Sequence, residues 1–86
     1  MYETISKTIV ENECKSLYEE AQAKFEATAL QTATKNLERV MELDEEYADG
    51  QAMLLLLKTY DLQGETEKVN ELYQRIKELL GENNAD

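Results

Sequence analysis

No histidine, proline or tryptophan occurs in this chain; cysteine occurs once and glycine three times. Each gap excludes something. Without imidazole there is no Ser-His-Asp set, and Cys14 has no base to activate it as a nucleophile. A single cysteine can close no internal disulfide, so it leaves the redox compartment open; on a helix it reads as a small buried apolar residue. Three scattered glycines, at positions 50, 64 and 81, make no phosphate-cradling loop. The longest apolar run, residues 53–57, is far too short to span a bilayer. The polar N-terminus lacks the apolar stretch of a signal peptide. These features describe a soluble segment, cytoplasmic by default. Basic residues are also scarce: 9 against 19 acidic ones, for a formal charge of −10. Phosphate backbones and anionic lipid surfaces are repelled by that balance, so nucleic acid and direct membrane insertion are not expected. The charge serves solubility, and it also suits a basic protein or peptide partner.

What is present favours helix almost everywhere. Ala, Glu, Lys, Leu and Gln are abundant, and no alternating strand pattern is visible. At 86 residues the chain has room for one small domain. Val10, Cys14, Leu17, Ala21 and Phe25 recur every three or four residues and predict a long first helix over residues 3–27, with Ile5 and Ile9 on a slightly rotated face. A break near Asn12 is one reading of its length, and an N-terminal extension or cap over residues 1–14 is another. Thr28 and Gln31 have the spacing of a capping box that would open a second helix reaching Asp44. A turn over residues 44–47 then leads to a third helix over 48–62, apolar nearly all round. Gly64 suits its left-handed cap. Val69, Leu72, Tyr73, Ile76, Leu79 and Leu80 form the cleanest apolar stripe and predict a fourth helix over 65–80, stopped by Gly81. Residues 82–86 read as a polar tail.

The two halves also repeat each other at an offset of 36 residues. Arg39/Arg75, Glu42/Glu78 and Leu43/Leu79 are identical, Val40/Ile76 and Leu37/Tyr73 keep apolar character, and Thr28 pairs with Gly64. A fixed period of this size is the mark of stacked helical hairpins, each burying its apolar face against its neighbours. Short connections make neighbouring helices antiparallel, which gives an all-α domain of two consecutive hairpins, repeat 1 over residues 15–49 and repeat 2 over 50–81.

With these residues the chain resembles the tetratricopeptide repeat family. Met53, Leu56, Leu57 and Tyr60 stand at the family's first-helix positions, Gly64 at its inter-helix glycine, and Val69, Tyr73 and Ile76 at second-helix positions. In the first half Leu17, Ala21, Ala33, Leu37 and Val40 match more loosely. The resemblance implies a right-handed α-solenoid fragment and a groove lined by the first helix of each hairpin. The groove positions carried over are Lys15, Tyr18, Gln22 and Phe25 from repeat 1, then Gln51, Leu54, Lys58 and Asp61 from repeat 2. Tyr18, Phe25 and Leu54 are equally suited to completing the core. Tyr18 and Leu54 stand where carboxylate-clamping members place their first clamp residue, and Gln22 and Lys58 at the second, so that activity is not implied.

Nothing in the sequence gathers catalytic groups. The paired carboxylates Glu19/Glu20 and Glu45/Glu46 have the setting of solvated helix faces and turns. Residues 44–50 lack the alternating ligands and closing Glu of a calcium loop. The expected function is a non-catalytic module, without cofactor or metal, that binds a protein or peptide in the groove. The other expectation is a structural segment of a larger protein, docking through the end face that carries Leu72, Tyr73 and Leu80 to a further repeat, another domain or a second copy.

Overall fold

The computed structural model describes the backbone of residues 2–84 and the side chains of residues 7–81. Among the described residues the fold is all-helical: α1 spans Tyr2–Glu26, α2 Leu30–Leu43, α3 Gln51–Leu62 and α4 Thr66–Asn84, with a 3-10 turn at Tyr47–Gly50 before α3. The helix α1 runs without a break past Asn12. Its first described turns project beyond the core, leaving Ile9 60% exposed, and burial begins at Val10 and Cys14. Ile5 lies outside the described side chains.

Cross-helix contacts set the chain directions. Glu13 of α1 pairs with Arg39 of α2 at 3.6 Å, and Glu20 accepts from Asn36 Nδ2 at 2.7 Å. Numbers rise on one helix as they fall on the other, so α1 and α2 are antiparallel. The same holds for α2 and α3, where Thr34 Oγ1 donates to Gln63 Oε1 at 2.8 Å and Tyr60 Oη donates to Glu38 Oε2. The helix α3 also touches α1, whereas α4 packs chiefly on α3. The core is accordingly the seam of α1, α2 and α3, with Cys14, Ala21, Leu37, Val40, Ala52, Leu56 and Tyr60 buried in it. No described side chain of α4 is buried; Val69, Leu72, Ile76 and Leu79 are half-covered. The apolar stripe of α4 is thus the least buried of the four, because that helix packs chiefly on one neighbour, α3.

The identical Arg/Glu pairs of the repeat are surface clamps. Arg39 Nη1 reaches Glu42 at 3.0 Å and Arg75 Nη1 reaches Glu78 at 3.1 Å. Each arginine also reaches a second carboxylate, Arg39 that of Glu13 on α1 and Arg75 that of Glu45 in the turn after α2.

Four local expectations are corrected. The capping box does not form: Ala29 is the N-cap of α2 without a side-chain bond, and Thr28 Oγ1 donates instead to the Ala27 carbonyl. Thr28 is occupied in ending α1. Its N–H bonds the Phe25 carbonyl and the next N–H bonds that of Lys24, at φ +60. These are the two bonds of a Schellman cap. Gly64 ends α3 with the same pair, to Asp61 and Tyr60, at φ +74. The matched positions Thr28 and Gly64 therefore do the same work, one with the residue suited to it and one without. Second, α3 begins at Gln51 rather than 48, because Ala48, Asp49 and Gly50 are all left-handed, at φ 57, 56 and 88. Third, α4 begins at Thr66 rather than 65: the Glu65 N–H is spent on the α3 cap. Fourth, Gly81 does not stop α4, which continues through Asn84 and takes in part of the expected polar tail. Glycine permits a left-handed stop but does not impose one, and no atom crowds this one.

Candidate functional site

Because α1 and α3 both run antiparallel to α2, they lie parallel to each other, and a groove of ≈ 360 Å³ opens between them. Its apolar surface comes from Tyr18 and Phe25 of α1 and from Leu54, Leu55 and Leu57 of α3. Its polar groups are Gln22 and Glu26 on one wall and Gln51 and Lys58 on the other. Six of the eight groove candidates, Tyr18, Gln22, Phe25, Gln51, Leu54 and Lys58, are thus brought together. Lys15 and Asp61 are exposed but do not line it. Lys15 lies one turn before Tyr18 and Asp61 one turn past Lys58, so each falls off an opposite end.

Tyr18 has two engagements. Besides lining the groove it packs edge-on against Tyr47, ring centroids 5.7 Å apart and planes at 75°, and so ties the 3-10 turn to α1. Burial pushes the Tyr47 phenol above its ordinary value. Lys58 follows the apolar run of α3 on the exposed side and makes no ion pair among the described residues, which leaves its ammonium available at the wall. With two amides, an ammonium and a carboxylate around an apolar floor, the groove can hydrogen-bond a polypeptide backbone while covering apolar side chains.

A second groove, of ≈ 500 Å³, lies at the opposite side of α3. Met53 and Leu54 face Ile76, Leu79 and Leu80 across it, while Glu45, Glu46 and Asp49 stand at its edge with Gly50. Leu54, 43% exposed, lines both grooves and forms the ridge between them. Of the residues expected on the end face, Leu80 lines this groove. Leu72 is half-buried against the core, and Tyr73 is 52% exposed beneath the Lys77 ammonium. The clustering of residues 45–50 around this groove was not legible from the sequence; the only signal was the composition of the turn, three carboxylates and a glycine in six residues.

The buried Cys14 and Tyr60 line neither groove. Burial, reinforced by Asp44 and Glu13, pushes the Cys14 thiol up, away from thiolate chemistry. Burial and the hydrogen bond to Glu38 push the Tyr60 phenol far above its ordinary value. Arg75 holds the Glu45 carboxyl below its ordinary value through a two-pronged contact, Nε to Oε2 at 2.8 Å and Nη2 to Oε1 at 2.7 Å. Among the described residues no cluster of Cys, Asp and Glu could hold a metal ion, and no helix is long and apolar enough to cross a membrane. No family model, curated protein or solved structure matches the chain.

Proposed function

We propose that this chain is a non-catalytic helical-repeat module of the tetratricopeptide type, which holds an extended or helical peptide in the groove between α1 and α3. The observation that carries the reading is the convergence of Tyr18, Gln22, Gln51, Leu54 and Lys58 on one groove from two helices far apart in sequence. The packing order supports it: α2 on α1, α3 on both, α4 on α3, with Schellman caps at Thr28 and Gly64 in matched places. Apolar contact would supply most of the binding energy, and Gln22, Gln51 and Lys58 the register.

The test starts from peptides selected against the immobilised chain and titrated by fluorescence anisotropy. Tyr18→Ala is a poor probe because it also releases Tyr47. The double variant Gln22→Ala with Lys58→Ala removes exposed groups only. It should weaken a groove ligand about tenfold, since each group contributes about 0.5–1.5 kcal/mol. Undiminished affinity would remove this site from consideration.

A second reading, assembly through α4, is favoured by one specific observation: no described side chain of that helix is buried, and Tyr73 and Leu80 are 52% and 55% exposed. Light scattering across a wide concentration range tests it. Concentration-dependent association that Tyr73→Ser abolishes would support it, and a monomer throughout would count against self-assembly.

A further inference from the structure

The groove between α3 and α4 has a chemical character that the α1/α3 groove lacks. We infer that it is a docking site for a basic amphipathic segment of a partner protein. This rests on the protein-contact reading of the chain, but not on the α1/α3 groove. Its floor is wholly apolar: Met53 and Leu54 on one side, Ile76, Leu79 and Leu80 on the other. The α4 residues stand at i, i+3 and i+4, so they form one continuous strip on one helix face. A cleft of ≈ 500 Å³ over that strip accepts several bulky side chains from an added helix.

The edge selects the charge. Glu45, Glu46 and Asp49 all stand along the mouth. Arg75 neutralises Glu45, while Glu46 and Asp49 form no ion pair among the described residues. Their placement follows from the left-handed run through Ala48, Asp49 and Gly50, which turns the chain sharply into α3 beside the apolar strip. An apolar strip edged by two uncompensated carboxylates is complementary to a helix with Leu- or Ile-type residues on one face and Lys or Arg flanking them.

A second copy of this chain is a poor occupant. It would bring its own formal charge of −10, with 19 acidic residues against 9 basic, to an edge that is already acidic. An acidic segment fails for the same reason. A purely apolar one would leave the carboxylates to be desolvated without a counter-charge.

The experiment uses the full chain and a designed probe, a fluorescein-labelled 14-residue helical peptide with Leu at i, i+3 and i+7 and Lys elsewhere. Its charge-reversed twin, with Glu in place of Lys, serves as the control. Anisotropy should report binding of the Lys peptide and none of the Glu peptide, with affinity falling as salt rises. Glu46→Lys combined with Asp49→Lys should weaken binding by roughly tenfold or more, because both charges of the edge are reversed. Glu11→Lys combined with Glu67→Lys makes the same change in net charge on exposed sites outside both grooves, and should leave most of the affinity. Amide shifts in the bound complex should centre on residues 53, 76, 79 and 80.

Equal weakening by the two variants would mean diffuse attraction to an acidic protein and would overturn the proposal. Absence of binding to the Lys peptide would overturn it as well. Shifts centred instead on Tyr18, Gln22 and Lys58 would assign the peptide to the α1/α3 groove, refuting this inference while favouring the first reading. A dimer that Ile76→Asp dissociates would make a second copy the occupant and also refute it. All variants lie on exposed or half-exposed positions, and circular dichroism establishes that each remains helical.

Discussion

Thr28 and Gly64 occupy equivalent caps, which allows a paired prediction of opposite sign. Thr28 sits at φ +60, in a region that a β-branched residue tolerates poorly. Holding a side-chain-bearing residue there costs about 1–2 kcal/mol. Thr28→Gly relieves that cost but gives the unfolded chain more freedom, worth about 0.4–1 kcal/mol. The lost bond from Thr28 Oγ1 to the Ala27 carbonyl is exposed, so water replaces it. The net expectation is a gain of about 0.5–1 kcal/mol, or a rise in Tm of about 2–8 °C for a domain of this size. Gly64→Ala runs the other way. Its added Cβ meets no atom within 4 Å, so the φ of +74 supplies the whole cost, and the loss should also be about 0.5–1 kcal/mol. Urea unfolding followed by circular dichroism at 222 nm and by tyrosine fluorescence gives both values, provided the two probes coincide and the slope is unchanged. A loss of stability in Thr28→Gly, or a shift of both midpoints in the same direction, would refute a strained cap at Thr28.

Two further predictions concern the core and acid. Leu37→Ala, at a side chain with no exposed surface where α1, α2 and α3 meet, should cost about 3–5 kcal/mol, whereas Leu72→Ala on half-covered α4 should cost about 1 kcal/mol; the same urea transitions would show a reversed order if α4 carried the core. Glu45→Gln should destabilise by at most about 1 kcal/mol at pH 7, because both partners of the Arg75 pair are more than a third exposed. The carboxyl binds its proton less readily folded than unfolded, so its contribution is complete above the unfolded value and is lost as pH falls through the lower folded one. Wild type and variant should therefore differ by a constant amount from pH 7 down to the ordinary glutamate range and converge as the pH falls below it, and a gap that never narrows in acid would assign the loss to something other than the charge.

What could be read in advance follows from what periodicity encodes. The stripe through Cys14 and Ala21, the inward set Ala33, Leu37 and Val40, and the cap at Gly64 are local properties of a 3.6-residue period and of backbone permissiveness. They appear in the fold where the sequence places them. The two grooves are different in kind. Tyr18 and Gln22 line one groove with Gln51 and Lys58 only because α2 holds α1 and α3 parallel, and Glu46 lines another with Leu80 only because the chain turns left-handed before α3.

The sequence by itself determined that the chain is helical, where most of its apolar faces lie, and that it carries a formal charge of −10. Only the tertiary structure decided that Thr28 caps α1 instead of opening α2, that Gly81 continues α4, and that Leu54 divides two grooves. The physical reason is that a periodic stripe records which face prefers burial, whereas the extent of burial depends on how many neighbours arrive. Three helices share one seam here, and the fourth is covered chiefly by α3.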